Sequence, residues 1–166
     1  MVVEAARLLV DQPRYQFVMC GDGVARKRLQ TMAKGLENIL WLPLQPIERL
    51  NELLNLAAIH LLPQSADAAD LVMPSKLTGM LASARPVIAT AAAWTQVAKV
   101  VAEAGCVVLP GDITAFVNAI KKLAEDEALR TRLGHAGRVW IETEWDKERV
   151  LTAFEDELQQ LGYGHK

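Results

Sequence analysis

The chain has 166 residues, of which 51% are hydrophobic and 23% are charged, a composition typical of a globular domain. Its formal net charge of −2 gives no bulk attraction for nucleic acid or for an anionic membrane. The longest apolar runs are much shorter than the ~20 residues that span a bilayer. The opening MVVEAARLLV predicts an amphipathic helix and not a signal peptide. These observations favour a cytoplasmic protein that does not bind nucleic acid.

Five short apolar runs predict the strands of a sheet. They lie at residues 15–21, 38–43, 58–63, 85–90 and 106–110. Amphipathic segments predict helices between these strands, and a last group of helices occupies 126–166 within a single domain, 1–166. Strands that alternate with helices across short turns are typical of a parallel sheet with helices on both faces. The expected fold class is therefore α/β, with a Rossmann-like sheet.

Two cysteines fall within predicted strands. Cys20 and Cys106 each lie in an apolar run, where two reduced core thiols are expected and a disulfide or metal pair is not. The strand residue His60 is likewise expected to be a core or strand-end residue and not a catalyst. No pattern in the chain identifies a catalytic residue.

Three loops are expected on one rim of the sheet. In parallel α/β sheets ligands bind outside the carboxyl ends of the strands, and here those ends lead into 21–23, 63–73 and 90–94. Trp94, in the third loop, is the tryptophan that could contact a ligand. Candidate binding residues are therefore sought in these loops.

Glycines and basic residues follow the first strand. Gly21 and Gly23 can let backbone N–H groups approach a ligand, and Arg26 lies in the helix that follows. The spacing matches neither a dinucleotide GxGxxG nor a P-loop. A tight turn with a solvated basic helix explains the same residues, so both interpretations stay open.

The triplet Pro74-Ser75-Lys76 opens a helix and predicts a second anion site. Ser75 is expected to be the N-cap. Lys76 opposes the helix dipole, which favours anions at an N-terminus, and an anion between them would explain its position. An ordinary cap with an exposed lysine is the alternative.

The loop before this helix is long for an α/β connection, and such loops are often functional. It begins at Gln64 and contains Asp67 and Asp70, which could orient a ligand rich in hydroxyl groups. The sequence contains no D-x-D pair, so a divalent metal site is not indicated.

Taken in order, these segments resemble the C-terminal half of a GT-B glycosyltransferase of family 4. The motifs that carry the resemblance are FVMCGDG, NILWLPLQP, AIHLLPQ, PSKLTGMLASARPVIAT and CVVLPGDITAFVNAI. They cover nearly the whole chain, and their order is more specific than any one of them. The fourth motif is most similar to that of colanic acid and related exopolysaccharide transferases.

The resemblance implies a nucleotide-sugar-binding domain and retaining, metal-independent glycosyl transfer, with no cofactor besides the nucleotide-diphospho-sugar substrate. It implies that the donor diphosphate is held by basic side chains and a helix N-terminus, to which we assign Ser75, Lys76, Arg26, Gly21 and Gly23. The loop from Gln64, with Asp67, Asp70 and the adjoining Leu77, would face the sugar and ribose. A glycan or lipid-linked acceptor would be held by an N-terminal domain, and the full-length protein could lie peripherally at the inner membrane.

The chain departs from the family pattern in two ways. The family has two glutamates spaced E-x7-E, but Leu71 and Gly79 stand at these positions. Asp70 could replace the first, whereas the second, which binds ribose in the family, has no replacement. The chain also begins at the helix that follows the family's first, central strand, so we expect a fragment that is inactive alone. Either the neighbours of that strand pair with each other or a gap remains.

Two other functions remain open on the sequence alone. A GT-B-like nucleotide-sugar epimerase would need carboxylates and a histidine on the rim. A non-catalytic, flavodoxin-like binding module would use Pro-Ser-Lys only as a helix cap.

Overall fold

The computed structural model describes residues 1–64, 73–145, 147–160 and 162. Its five strands are β1 (Phe17–Cys20), β2 (Ile39–Leu42), β3 (His60–Pro63), β4 (Val87–Thr90) and β5 (Gly105–Val108). Its α-helices are α1 (Val2–Leu8), α2 (Arg26–Met32), α3 (Leu50–Leu56), α4 (Ser75–Ala82), α5 (Gln96–Ala104), α6 (Ile113–Glu125), α7 (Glu127–Glu144) and α8 (Lys147–Gln160). A 3-10 turn, Ile47–Arg49, precedes α3. Each predicted strand contains most or all of an observed one, which confirms the α/β prediction.

All strand pairs are parallel, but they form two sheets. β1 pairs with β2, and β3, β4 and β5 pair in that order. Phe17 lies opposite Ile39 in the first sheet, and in the second Val87 lies between His60 and Gly105. Within the described residues β1 and β3 do not pair with each other. Of the two outcomes expected for the neighbours of the family's first strand, the structure therefore shows the gap.

The smaller sheet is less covered than the larger one. Every residue of β4 is buried, because helices lie on both of its faces. In the smaller sheet Phe17 and Ile39 are buried, whereas Val18 and Leu40, which alternate with them, are 40% and 50% exposed. Cys20, expected in the core, is also exposed. One face of β1–β2 thus packs in the core while the other is largely open.

Two apolar cores lie on opposite faces of the larger sheet. Ile88 packs in the core that includes residues of α1, α6 and β1. Its neighbours Val87 and Ala89 point the other way, into the core formed with α4 and α5. This alternation along β4 follows from the two-residue period of a strand. Helices α1 and α6 therefore pack on one face of the sheet, and α4 and α5 pack on the other.

Helix α7 makes a close backbone contact with the segment that follows α4. A β-carbon placed at Gly134 would lie 2.1 Å from the Ala84 carbonyl oxygen, and one at Gly137 would lie 3.0 Å from Leu81 Cδ2. Nearby, the Arg138 Nη1 group donates a hydrogen bond to the Ala82 carbonyl at 3.0 Å. The glycines therefore allow α7 to lie directly against the C-terminal end of α4.

No α-helix in the described ranges combines the length and the apolar character that crossing a bilayer requires.

Replacing Gly134 by alanine should destabilise the fold by on the order of 3 kcal/mol, since the new methyl group overlaps a backbone carbonyl that cannot rotate away. Gly79→Ala is the matched control, because Gly79 is also helical and its β-carbon would make an ordinary 3.4 Å contact with Leu54. That change should stabilise by roughly 0.5–1 kcal/mol through helix propensity. Urea denaturation measures both, and equal effects of the two substitutions would contradict the packing described.

Candidate functional site

The loop after β1 is a tight turn fastened to the end of β2. Gly21 has φ +122, a left-handed conformation that favours glycine. Its N–H donates to the Leu42 carbonyl at 3.3 Å, and the Leu44 N–H donates to Asp22 Oδ2 at 3.2 Å. Gly23 has open space where a β-carbon would lie. The turn is therefore held by hydrogen bonds at Gly21 and Asp22, and the space beside both glycines is open.

Arg26 stabilises this turn. Its Nη1 group donates to the carbonyls of Gly21 and Leu42, the latter at 2.7 Å, and lies 3.2 Å from Asp22 Oδ1. Its guanidinium also lies over the Trp41 ring, 5.9 Å from the centroid. Contact with a diphosphate stays a prediction, and it would have to use other N–H groups of the same guanidinium.

Helix α4 begins on the same rim as the end of β3, and its cap differs from the prediction. Pro74 is the N-cap, with φ −61 and ψ 123, and Ser75 is the first helical residue. The prediction that Ser75 is the N-cap is therefore wrong, because the extended proline already supplies the turn into the helix. Ser75 and Lys76 are exposed.

The N-terminus of α4 has no side-chain cap. By contrast, a side chain accepts a hydrogen bond from a first-turn N–H group in three later helices, namely Thr95 in α5, Asp112 in α6 and Asp126 in α7. Free N–H groups at a helix start attract anions. The exposed start of α4, beside Lys76, is thus one part of the rim that can accept a negative charge.

The residues predicted to face sugar and ribose are only partly described. Leu77 is 1% exposed and packs in the core with Leu81, so its side chain lies in the core and not on the predicted ligand-facing surface. Asp67 and Asp70 lie outside the described residues. Gln64 lies where the prediction places it, at the end of β3.

Thr90 anchors Gln64 and was not identified from the sequence. Its hydroxyl accepts a hydrogen bond from the Gln64 N–H and donates one to the Gln64 carbonyl, both at 2.7 Å. Thr90 is fully buried and ends β4, so it joins two neighbouring strand ends. The sequence feature that could have identified Thr90 is a hydroxyl side chain at the end of an otherwise apolar strand. Trp94, four residues later, is 65% exposed on the same rim.

Gly79, which stands at the family's second glutamate position, faces α3. It lines a cavity of about 300 Å³ with Asn51, Arg138 and Glu142, among others. A β-carbon there would contact Leu54, so the site has room for a side chain. The ribose-binding carboxylate implied by the resemblance has no counterpart at this position.

His60 lies at the opposite end of β3 from the rim and is 7% exposed. Its Nε2 atom is 3.0 Å from Ser83 Oγ, which donates to the Met80 carbonyl. Burial and, secondly, the charge of Arg85 lower the pKa of His60 from 6.5 to about 4. The structure thus confirms a satisfied core histidine, and the epimerase alternative loses the histidine that it needs on the rim.

Among the residues that the structure describes, no group of three or more His, Cys, Asp or Glu side chains is placed to hold a metal ion.

Comparison with known families identifies the chain. Residues 1–126 match the model of the family Glycosyl transferases group 1, which is more than half of the chain. The chain belongs to this glycosyltransferase family. This agrees with the resemblance inferred from the ordered motifs.

A curated relative supports the assignment. The chain is 35% identical over 164 residues to WcaI of Escherichia coli (strain K12), a protein that carries the name of a colanic acid biosynthesis glycosyl transferase. The match covers 95% of this chain but 39% of WcaI. The chain thus spans about two fifths of that relative.

Solved structures show the same fold. HepE of Anabaena, determined with UDP-glucose, matches 95% of this chain and 44% of its own, with 17% identity and a TM-score of 0.76. Sucrose-phosphate synthase from Thermosynechococcus elongatus matches 98% of this chain and 43% of its own, at 21% identity and a TM-score of 0.75. The C-terminal domain of the group 1 family protein LpcC from Francisella tularensis matches 88% of this chain and 78% of its own, at 22% identity and a TM-score of 0.66. The α/β architecture is therefore that of GT-B C-terminal domains.

The buried His60 predicts a specific pH dependence. Between pH 6.5 and 4 the unfolded chain binds a proton at this residue and the folded chain does not, so the free energy of unfolding falls as the pH is lowered. From pH 7 to pH 5 its contribution should be on the order of 2 kcal/mol. His60→Gln should remove this part of the pH dependence, measured by urea denaturation at both values.

The exposed His135 provides the control. His135→Gln shows whether the loss of an exposed histidine also changes the difference between pH 7 and pH 5. A His60→Gln protein with the full original difference would show that the burial of His60 is not its cause.

Proposed function

We propose that this chain is the donor-binding domain of a retaining glycosyltransferase that acts in the synthesis of a bacterial exopolysaccharide similar to colanic acid. It would bind a nucleotide-diphospho-sugar and need neither a metal ion nor another cofactor. The acceptor, a glycan or a lipid-linked glycan, would be held by a separate N-terminal domain. Family membership, the relation to WcaI and the UDP-glucose present in the HepE structure support this proposal.

The observation that carries the proposal is the exposed, uncapped start of α4 beside Lys76. The side chain of Lys76 is a cation, and the neighbouring N–H groups form the positive end of the helix dipole. A diphosphate could satisfy both, whereas no described side chain does so. Ser75, with its exposed hydroxyl group, adds a further donor at the same place.

This arrangement suggests an electrostatic role in the reaction. When the bond between the sugar and the diphosphate breaks, negative charge grows on the leaving group. Fixed N–H donors and a lysine cation stabilise that charge without having to reorganise. The turn after β1, held in position by Arg26, offers the N–H group of Gly23 as a further donor, whereas the Gly21 N–H already donates to the Leu42 carbonyl.

Ribose recognition would differ from the family pattern, because Gly79 has no carboxylate. Thr90 holds the Gln64 backbone at the end of β3. The loop that follows Gln64 therefore begins at a fixed point on the rim. Asp67 and Asp70 of that loop are the proposed contacts to hydroxyl groups.

Calorimetric titration with UDP, GDP and ADP tests the donor site. We expect at least one of these nucleotides to bind, and Lys76→Ala to weaken that binding by about tenfold to a hundredfold, since a charged hydrogen bond contributes about 1.5–3 kcal/mol. Lys34→Ala is the matched control, because Lys34 is also exposed but precedes the amino end of β2. Unchanged affinity in Lys76→Ala, or equal loss in both variants, would contradict the proposed phosphate contact.

A second experiment tests the division of labour between domains. Supplied with UDP- and GDP-sugars and a glycan acceptor, the chain alone should bind nucleotide but transfer no sugar above the uncatalysed rate, as followed by release of nucleoside diphosphate. Turnover at ordinary enzyme rates, which are about 1–1,000 per second, would show that the acceptor site lies within this chain.

A further inference from the structure

A second cavity lies at the other end of the sheet from the rim. It has a volume of about 600 Å³, opens to solvent, and is lined by the end of α3, the segment that enters β4 and one face of α7. Its wall includes three basic residues and one acid, namely Arg85, Arg130, His135 and Glu127. Nothing in the proposed transfer reaction uses this cavity.

Arg85 is one of the residues that line the cavity. Its Nε atom is buried and has no hydrogen-bond acceptor among the described residues. A buried donor without an acceptor is unfavourable, and most such groups in proteins have a partner. Its charge also acts on the interior, because it helps to lower the pKa of His60. Since Nε itself is closed off from solvent, an anion in the cavity would be bound by the terminal Nη groups of Arg85 and would compensate its charge.

Arg130 on α7 supplies a second guanidinium group. Its Nη1 donates to the carbonyls of Leu123 and Ala124 at 2.7 and 2.8 Å, which holds the group in place while its Nε and Nη2 remain available. Glu127 is the acidic residue that lines the cavity, and no ion pair joins it to either arginine in the described part of the chain. Two cations and one carboxylate leave the lining net positive.

The cavity wall is rigid, because Ala84 and Gly134 are in close backbone contact. Ala84 adopts φ +55, which is uncommon for a residue other than glycine and persists only where the surroundings impose it. Arg85 therefore starts from a backbone fixed against the helix that carries Arg130 and His135. A wall fixed in advance reduces the entropy lost on binding.

We propose that this cavity binds a soluble phosphorylated small molecule, with its phosphate group between the guanidinium groups of Arg85 and Arg130. Paired guanidinium donors match the geometry of phosphate oxygens. The recess between two helices suits a small ligand, and its volume leaves space for a group as large as a monosaccharide. The site is separate from the donor rim, since it lies beyond the amino ends of β3 and β4, and it does not depend on the proposed transferase reaction.

The test is a titration of the 166-residue chain with inorganic phosphate at pH 7 and constant ionic strength. It is followed by the 1H–15N signals of the arginine Nε–H groups and by calorimetry. The Arg85 Nε–H signal should shift and reach saturation. Arg85→Gln should lower phosphate affinity at least tenfold, whereas Arg132→Gln, which removes an exposed charge of α7 outside the cavity, should change it less than twofold.

Two further arms separate this site from other phosphate sites. In a Lys76→Ala chain the shift of Arg85 Nε–H should persist, which distinguishes this cavity from the donor rim. Glucose 6-phosphate should shift the same signal, and the chain should not sediment with phosphatidylglycerol vesicles. The proposal is overturned if Arg85 Nε–H in the unaltered chain does not respond to phosphate, if Lys76→Ala abolishes the response, or if Arg85-dependent binding to the vesicles is seen.

Discussion

The close approach of α7 to the chain segment between α4 and β4 is the contact on which both candidate sites depend. Gly134 brings the backbone of α7 against the Ala84 carbonyl, and Arg138 binds the end of α4 at Ala82. These contacts fix the C-terminal end of α4 and, through its eight residues, the position of its start at the rim. They also fix Arg85 at the other end of the sheet. A side chain at position 134 would disturb both ends.

The two ends of the sheet would bind a phosphate group by different interactions. At the rim, uncapped N–H groups and an exposed lysine form an open site, as expected where a substrate has to enter and leave. At the opposite end the side chains of Arg85 and Arg130 line a recess beside α7. The first site relies on the helix dipole and the second on paired arginines. Both charge patterns are local, since the chain as a whole has a formal charge of −2.

The secondary structure could be predicted because its signals are local. Each strand is a short apolar run bounded by turn residues, and each helix carries an amphipathic period. The pairing of the strands is not local, so residue patterns did not predict the separation of β1–β2 from β3–β5, and the resemblance gave it only as one of two possible outcomes. The rim was also predictable, because chain order alone places the carboxyl ends of parallel strands together.

What the sequence did not reveal depends on tertiary packing. The cap of α4 was assigned to Ser75 by preference, but the extended Pro74 takes that position. Leu77 was placed beside the ligand-facing loop, yet the phase of α4 turns it into the core. The cavity lined by Arg85 and Arg130 joins residues from three parts of the chain. The role of Gly134 becomes apparent only once Ala84 lies against it.

The central claim is that a nucleoside diphosphate binds at the rim formed by the start of α4 and the turn after β1. The most direct measurement is mapping of backbone amide shifts in 1H–15N spectra of the chain titrated with the nucleoside diphosphate that it binds most tightly. The account predicts saturable shifts centred on the amides of Ser75, Lys76, Gly21 and Gly23. Shifts confined to the amino ends of the strands, or none at any residue of the rim, would contradict it.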